Sequence, residues 1–405
     1  MVREQFQVKI NSFTLNVTQT AVDAVRKKQI TKTGCRVYSD GYIGISGTFG
    51  EADEQTWLDA EKNLMKKIPY PYPPSAGKTR IRNTKKACGS QTDFLKQSEE
   101  FLARIRKDFP DFICSNKLMS VESEVSIHND LGLDYCNSDQ SIVFGLVVKH
   151  IKSINVFDTI YSFEDRDPDF ESVYEDLSSQ LTAFRNPMEQ KISGKIPVVI
   201  GFQDISGKFI ESLNGEALGR GVSIFGDKIG KKVFNDDFSL IVDRGIEPIH
   251  ASFFDVEGSV LESDQTALIE KGQIRCGYAD KKTADKYGMR NTAAAGGEYN
   301  SVPALSVPPL SVLPSQKTLA EILNGRDAVF AAVLSGGDFT NEGQFASPVQ
   351  MAYSIRDGKL VGKLPELTIS GNIYDLFGND YFGQSGDKPF CGERYLVLNM
   401  DVNQY

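Results

Sequence analysis

Histidine is scarce in this 405-residue chain, and its scarcity restricts the possible chemistry more than any other feature of the composition. The three histidines are His128, His150 and His250. A hydrolytic zinc ion on a helix needs two histidines about four residues apart, with a glutamate nearby as base. No two of the three histidines are that close in the sequence. The residues therefore predict no catalytic group and no metal ligand in this chain.

Paired cysteines and long apolar runs are also missing. The six cysteines are scattered singly, without a C-x-x-C pair, which excludes a zinc knuckle or a small disulfide framework and indicates reduced thiols. No apolar run approaches the roughly 20 residues that span a bilayer. The first residues lack the apolar stretch of a secretory signal. We expect a cytoplasmic protein that does not bind membranes.

The charge balance argues against a nucleic-acid partner. The chain carries 45 basic and 54 acidic residues, a formal net charge of −9. An acidic protein gains little from contacts with phosphate groups. The basic runs at 26–28 and 78–82 are interpreted as solvated ends of strands or loops. No direct binding of nucleic acid is expected.

Two segments resemble familiar catalytic loops without matching them. The glycine-rich segment 201–209 has five residues between its glycines, where a phosphate-binding loop has four, and Phe209 lacks the hydroxyl that would bind magnesium. The segment 44–48 departs by one residue from the G-x-S-x-G elbow of a serine hydrolase. Binding or assembly is therefore predicted more readily than solitary catalysis.

The pattern of apolar residues predicts an α+β protein with two domains. Residues 1–190 read as an N-terminal α/β domain, in which Asp40-Gly41 between two β-prone runs predicts a hairpin. Helices are expected over 53–66, from a cap at Thr92 to Pro110, and after Asp167-Pro168.

The remaining segments extend this prediction. The proline-rich stretch 69–90 is predicted to be a loop. Residues 191–405 read as a β-rich C-terminal domain, with a buried strand at 196–200 and helices over 206–218 and 316–324.

Several runs, taken in order, resemble motifs of the TldD/PmbA family. They are G-C-R-V-Y-S-D-G-Y-I-G at 34–44, S-F-F-D-V-E-G at 252–258, L-I-E-K-G at 268–272, A-D-K-Y-G-M-R-N-T-A at 284–293, and L-T-I-S-G-N-I-Y-D-L-F at 367–377. The resemblance is strongest over 250–380 and weakest over about 50–110. It implies an α+β fold of the TldD/PmbA type.

Within this family, one branch carries H-E-x-x-x-H on the helix after the central strand, together with a C-terminal cysteine, and holds the metal. The corresponding segment 207–220 has no histidine here, and Glu211 and Glu216 are interpreted as a solvated helix face. Cys391 lies near the family's C-G pair and is interpreted as structural. The chain is thus similar to the TldE/PmbA-like branch. This implies no cofactor in this chain and a zinc ion in a partner subunit.

The resemblance implies a non-zinc subunit of a two-subunit metallopeptidase that acts on unfolded or peptide substrates. Its partner would be a TldD-like zinc-bearing subunit or a second copy of itself. It would help to enclose a chamber and position an extended peptide, by strand addition along exposed backbone. The motif positions expected to line the cleft are Asp255, Glu257, Gly371, Asn372 and Cys391.

Two alternatives stay open. One is a stand-alone homodimer that binds peptides or small ligands without hydrolysing them. The other is an independent hydrolase that uses Cys391 or an unrecognised metal site. The family is also described as modulating DNA gyrase, which the acidic charge makes an indirect link.

Overall fold

The computed structural model describes residues 1–86, 90–189 and 191–404, and it confirms the predicted α+β class. The strands of the first part are β1 (Val2–Thr18), β2 (Ala21–Ser39), β3 (Tyr42–Phe49), β4 (Ile68–Pro69), β5 (Thr79–Asn83), β6 (Phe112–Asn129), β7 (Asp134–His150) and β8 (Thr159–Asp165). Its helices are α1 (Glu54–Asn63), α2 (Gln91–Asp108) and α3 (Phe170–Phe184).

The second part contains more and shorter elements. Its strands are β9 (Ser193–Gly201), β10 (Leu240–Asp243), β11 (Gln265–Glu270), β12 (Gln273–Ile274), β13 (Ala295–Gly296), β14 (Ala304–Leu305), β15 (Leu310–Val312), β16 (Ala328–Leu334), β17 (Asp338–Phe339), β18 (Gln344–Arg356), β19 (Lys359–Leu364), β20 (Leu367–Asn372), β21 (Tyr381–Gln384) and β22 (Tyr395–Gln404). Its helices are α4 (Phe202–Ile205), α5 (Gly207–Ser212), α6 (Gly215–Gly219), α7 (Lys281–Tyr287), α8 (Leu319–Leu323) and α9 (Ile373–Leu376).

The first sheet has the strand order β4-β3-β2-β1-β6-β7-β5, with β8 also paired to β7. Its centre is the long hairpin of β1 and β2, which turns at Gln19 and Thr20, both with positive φ (49° and 58°). Neither residue type favours that conformation as glycine or asparagine does, so the sequence gives little sign of this turn. Only residues 32–39 of β2 pair with β3. The outer edge of β2 from Ala21 to Thr31 therefore extends beyond its neighbour.

The predicted hairpin at Asp40-Gly41 is confirmed. Ser39 pairs with Tyr42, and the two turn residues have φ values of 51° and 80°. Two residues with positive φ form the tight turn whose twist matches that of antiparallel strands.

Helices α2 and α3 cover one face of the first sheet. Their predicted apolar stripes are buried against it, with Ile105, Val173, Leu177 and Leu181 each 0% exposed. Because the sheet alternates its side chains between two faces, this packing leaves the opposite face for the second part of the chain.

A closed barrel forms the centre of the second part. Strands follow one another in the order β16-β9-β22-β20-β18, and β18 pairs again with β16. A separate sheet has the order β12-β11-β10-β15, so that β15 lies at its edge. Helices α4, α5 and α6 follow β9 directly and pack between these two sheets.

The prediction of one helix over 206–218 is wrong, because three short helices occupy 202–219. Asn214 interrupts the run: its side-chain oxygen accepts hydrogen bonds from the backbone N–H groups of Glu216 and Ala217, at 2.9 and 3.2 Å. A side chain that caps a new helix in this way ends the preceding one.

Other predicted boundaries shift by a few residues. Helix α2 is capped by Ser90 and not by Thr92, since Ser90 and Asp93 form a reciprocal capping box. Helix α3 is capped by Asp169, and α8 is capped by Thr318. The hairpin at Asp357-Gly358 joins β18 and β19.

The predicted loop 69–90 begins at the last residue of β4 and contains strand β5, and its residues 87–89 lie outside the described part of the chain. Strand β5 adds to β7 in parallel, so its arginines reach the second part of the protein. The Nη1 atom of Arg82 donates to the carbonyl of Arg244 at 2.6 Å, and Arg80 forms an ion pair with Asp264. These contacts explain why a basic run lies in an acidic protein.

A buried arginine is the deepest link between the two parts. Arg36 on β2 is 0% exposed, and its guanidinium donates to the carbonyl of Val256 and to Glu4. Tyr38 donates to the same Glu4 carboxylate at 2.8 Å. A buried charge is tolerated only when it is paired and hydrogen-bonded. This network therefore fixes the 252–259 segment against the first sheet.

Within the described residues, no helix is long and apolar enough to cross a membrane.

The boundary predicted at residue 190 falls between α3 and β9. The division into domains 1–190 and 191–405 stays a prediction.

Gly34 on β2 provides a test of this packing. A Cβ atom at position 34 would lie 1.8 Å from the backbone carbonyl oxygen of Tyr299. We expect Gly34→Ala to lower the free energy of unfolding by at least about 2 kcal/mol, because the crossing segment must shift. Urea unfolding monitored by circular dichroism measures this change.

The matched control is Gly145→Ala on β7, where the nearest atom would lie at 3.7 Å. This variant is expected to stay within about 1 kcal/mol of the wild type. Equal stability of the two variants would contradict the close approach of Tyr299 to β2.

Candidate functional site

A cleft opens where residues 391–394 meet the chain that leaves β9. It consists of two cavities that share Glu393. Cavity A, of 360 Å³, lies between this segment and the edge strand β15, and it is lined by Phe202, Gln203, Asp243, Glu247, Gln265, residues 310–314, Gln384, Lys388 and residues 392–394. Cavity B, of 270 Å³, is lined by Ile160, Ser162, Gln180, Gly201, Asp204, residues 330–334, Cys391, Glu393 and Tyr395.

The first turn after β9 places a carboxylate in cavity B. Gly201 ends the strand, and the position of its missing Cβ lies 2.9 Å from an Asp204 carboxylate oxygen. Burial raises the pKa of Asp204. Glycine at 201 therefore allows the acidic side chain to fold back over the end of the strand.

Glu393 stands between the two cavities. Burial raises the pKa of its carboxyl, and the negative charge of Asp204 raises it further. Within the described part of the chain, its carboxylate has no hydrogen bond or ion pair with another side chain. Glu393 is exposed, so its carboxylate is accessible at the mouth of the cleft.

Cys391 is held by helix α3. Its backbone N–H donates to Asp176 at 2.7 Å, and its sulfur accepts a hydrogen bond from Gln180 at 3.0 Å. Burial, and then the negative charge of Asp176, raise the pKa of the thiol. A protonated thiol is a poor nucleophile. The geometry thus gives Cys391 a structural contact and does not support the hydrolase that would use it.

None of the histidines lines the cleft. His128 lies on β6, and His150 ends β7, with its Nε2 3.6 Å from Asp111. His250 lies between the two parts of the chain, with its ring nitrogens 2.7 and 2.9 Å from the hydroxyls of Ser123 and Ser141. Burial lowers the pKa of His250, which favours a neutral, structural ring.

The donors in the cleft do not fit the zinc ion of the family's histidine-bearing branch. They are the carboxylates of Asp204, Asp243, Glu247 and Glu393 and the thiol of Cys391. Among the residues that the structure describes, no three histidine, cysteine or acidic groups are close enough to hold a metal ion. The zinc expected in a partner subunit stays a prediction.

Asp255 and Glu257 lie at the junction with the first sheet and do not line either cavity. Asp255 accepts hydrogen bonds from the backbone N–H groups of Glu257, Ser259 and Ala295 at 2.9–3.0 Å. Glu257 accepts a short hydrogen bond from the hydroxyl of Tyr70. Their acidic side chains therefore organise a buried turn.

Gly371 and Asn372 build the start of α9. The side-chain oxygen of Asn372 accepts from the N–H of Tyr374 at 3.0 Å. A Cβ at position 371 would lie 2.6 Å from Leu376, so glycine lets the helix fold back closely. Of the five motif positions, the structure brings only Cys391 into the cleft. A role for the other four in an assembled complex stays a prediction.

Glu211 and Glu216 also lie outside the two cavities. Glu211 has a side chain that is 65% exposed and pairs with Lys208. Glu216 is half-buried and accepts a hydrogen bond from Tyr287 at 3.0 Å, which ties α6 to α7.

Sequence reasoning missed Asp204, Glu393 and Gln384 as residues of the cleft. Asp204 lies in the rejected phosphate-loop segment, and Glu393 is two residues from Cys391. In the sequence, the only indication of a role for these two residues was that each lies near a motif. The meeting of three distant chain segments at this place follows from the closure of the barrel, which no local pattern encodes.

Comparisons with known proteins agree with this architecture. Residues 193–383 match the family model described as the PmbA/TldA metallopeptidase C-terminal domain. The crystal structure of TldE from Thermococcus kodakarensis superimposes with a TM-score of 0.82 at 18% identity, covering 100% of this chain and 97% of that one. That likeness establishes the shared fold.

Sequence relatives point the same way. A protein of Archaeoglobus fulgidus named metalloprotease is 24% identical over 94% of this chain and 92% of its own length. The metalloprotease TldD homolog of Buchnera aphidicola is 29% identical over 45% of this chain and 39% of its own length. Residues 193–383 thus match a PmbA/TldA metallopeptidase C-terminal domain, and the chain as a whole is similar to proteins of the TldD/PmbA family.

The buried turn at Glu257 predicts a pH dependence of stability. Burial, together with the negative charge of Asp255, raises the pKa of Glu257 to about 7. A carboxyl with a raised native pKa contributes stability that is fully present below its unfolded pKa of about 4.3 and is lost as the pH rises to about 7. Glu257→Gln removes this titration. Between pH 4.5 and 7.5, the wild type should lose up to about 3 kcal/mol more than the variant.

Urea unfolding at each pH measures both curves. The exposed Glu262 supplies the control, since Glu262→Gln should follow the wild type. If the Glu257→Gln and wild-type curves run parallel over this range, Glu257 does not titrate as its burial requires.

Proposed function

We propose that this chain is the non-zinc subunit of a TldD/TldE-type two-subunit metallopeptidase. It binds the peptide substrate and helps to enclose it, and a zinc-bearing TldD-like subunit supplies the hydrolytic chemistry. The observation that carries the proposal is the composition of the cleft. The cleft is large enough for a peptide segment, but its groups are carboxylates, amides and a protonated thiol, with no histidine.

The edge strand β15 supports the binding role. Ser311 pairs with Ile241 of β10, and the flanking bonds join Asp243 to Pro309 and Leu313 to Ser239. In an antiparallel ladder, alternate residues bond to the neighbour. The backbone groups of Leu310 and Val312 therefore point away from β10, and both residues line cavity A. An extended peptide can add to such an edge.

We also propose that the protein is cytoplasmic, and its free thiols are consistent with that location. The described cysteines, at 35, 114, 136, 276 and 391, are all free, as in a reducing compartment. Cys88 lies outside the described residues.

The first test is hydrolysis of an unstructured peptide by this chain alone and by a mixture with the histidine-bearing family member of the same source. We expect cleavage only in the mixture, and its loss on addition of a chelator, because the zinc belongs to the partner. A mixture with the Cys391→Ala chain should cleave as fast as the wild-type mixture if it stays folded.

Cleavage by this chain alone would contradict the proposal. A stable self-dimer that ignores the zinc-bearing relative and still binds peptide would favour the alternative, a stand-alone homodimeric peptide- or ligand-binding protein.

Strand addition at β15 predicts a sensitivity to alternate N-methylation of the peptide. In an extended peptide, only every second N–H faces the strand beside it. Methylating those nitrogens should weaken binding by tenfold or more, since each lost hydrogen bond costs about 1 kcal/mol. Methylating the intervening nitrogens should change affinity by less than threefold. Fluorescence anisotropy with labelled peptides measures both, and equal losses in the two series would exclude this mode of binding.

A further inference from the structure

The 390–393 turn reaches the cleft with an unfavourable backbone conformation. Phe390 and Glu393 pair across it, and the two residues between them, Cys391 and Gly392, have positive φ values of 52° and 67°. Glycine adopts such values freely, whereas a residue with a side chain does so at a cost. The surroundings of Cys391 must therefore hold it in place, and they thereby position one wall of cavities A and B.

Helix α3 provides the contacts that hold this turn. Asp176 and Gln180 are four residues apart, so they lie on one face of the helix. One carboxylate oxygen of Asp176 accepts hydrogen bonds from the backbone N–H of Cys391 at 2.7 Å and from the hydroxyl of Tyr161 at 2.9 Å. Gln180 donates to the sulfur of Cys391 at 3.0 Å. Because α3 belongs to the first part of the chain, Asp176 joins the two parts at the cleft.

We propose that Asp176 is a positioning residue of the peptide-binding cleft, and that it holds the 390–393 turn closed most firmly when its carboxyl is protonated. This inference rests on the proposed function, since it concerns the cleft that would bind the peptide. Asp176 acts through the backbone of Cys391 and not on the peptide itself. A substitution that keeps a neutral acceptor at position 176 should therefore keep the turn closed.

The surroundings of Asp176 make the strength of this contact depend on pH. Asp176 is half-buried and lines a third cavity, of 600 Å³, through which its carboxyl can exchange a proton with solvent. Burial raises the pKa of this carboxyl to about 6, although the hydrogen bonds from Tyr161 and Cys391 oppose the shift. In an opened turn the carboxyl is hydrated, and its pKa returns to about 3.9. Protonation therefore favours the closed turn, and ionisation as the pH rises through 6 favours opening.

The other ionisable groups around Asp176 do not produce this dependence. Burial raises the pKa of Tyr161, Tyr395 and Cys391, so all three stay uncharged near pH 6. The charged residues that line the third cavity carry both signs, so that their effects on Asp176 offset each other: Asp165, Glu175, Lys359 and Lys388.

Hydrogen exchange of the Cys391 amide, followed by mass spectrometry of the full chain, measures the opening of the turn. Asp176→Asn keeps an acceptor of the same shape and cannot ionise. We expect the exchange rate of the wild type, divided by that of Asp176→Asn at the same pH, to rise at least tenfold between pH 4.5 and 7.5. A pKa that falls from about 6 to about 3.9 on opening predicts a rise of about twentyfold.

Two controls accompany this measurement. Both proteins retain Glu393, whose pKa is also raised by burial, so its titration cancels in the ratio. Glu175→Gln, an exposed change on α3 that borders the same cavity, should follow the wild type. If Asp176→Asn does not fold, the amide of Gly386 serves as the reference within the wild type, because it donates to the carbonyl of Lys317 at 2.7 Å and this acceptor does not titrate.

Peptide binding tests the consequence for the cleft. Asp176→Ala removes the acceptor, and we expect it to bind a labelled unstructured peptide at least threefold more weakly than Asp176→Asn at pH 7.5, as measured by fluorescence anisotropy. Equal affinity of the two folded variants would overturn the positioning role, and an exchange ratio that stays constant from pH 4.5 to 7.5 would overturn the dependence on protonation. If the wild type binds no peptide, the proposed function fails, and the exchange ratio still decides whether Asp176 holds the turn.

Discussion

The buried contact between Arg36 and the carbonyl of Val256 holds the molecule together in its functional form. A buried guanidinium needs charged or polar partners, and the partners of the Nη1 atom of Arg36 come from both parts of the chain, Glu4 on β1 and the turn that contains Val256. The first sheet and the 252–259 segment are thus fixed to each other. Cavity B depends on that arrangement, because β8 of the first sheet supplies one wall and the barrel supplies the other.

Local chemistry allowed part of the fold to be predicted. Asp40-Gly41 specified its hairpin because both residues tolerate positive φ, and the apolar stripes of α2 and α3 specified their buried faces. The turn at Gln19 and Thr20 could not be read in the same way, since the pairing of the long strands imposes its conformation. The single helix expected over 206–218 failed because Asn214 caps a new helix within it. Periodicity alone did not reveal that cap.

The sequence predicted the kind of protein to which the candidate site belongs, but, apart from Cys391, it did not predict which residues line that site. The resemblance pointed to the TldD/PmbA family, and from the missing histidines we expect that this chain holds no zinc ion, which stays a prediction. Four of the five motif positions lie outside cavities A and B. Asp255, Glu257, Gly371 and Asn372 have intramolecular roles in turns and a helix start, which their residue types also explain. Glu393 and Gln384 became visible only once β15, β21 and the end of β9 had been brought together.

The long hairpin of β1 and β2 has a consequence for the behaviour of the protein in concentrated solution. Between Ala21 and Thr31, the outer edge of β2 has no strand beside it in the described chain. An uncovered strand edge is a template for uncontrolled pairing between molecules. The basic residues Arg26, Lys27 and Lys28 lie along this edge and are exposed. Like charges on approaching edges repel each other. This basic run thus acts as a barrier to self-association, and its effectiveness depends on ionic strength.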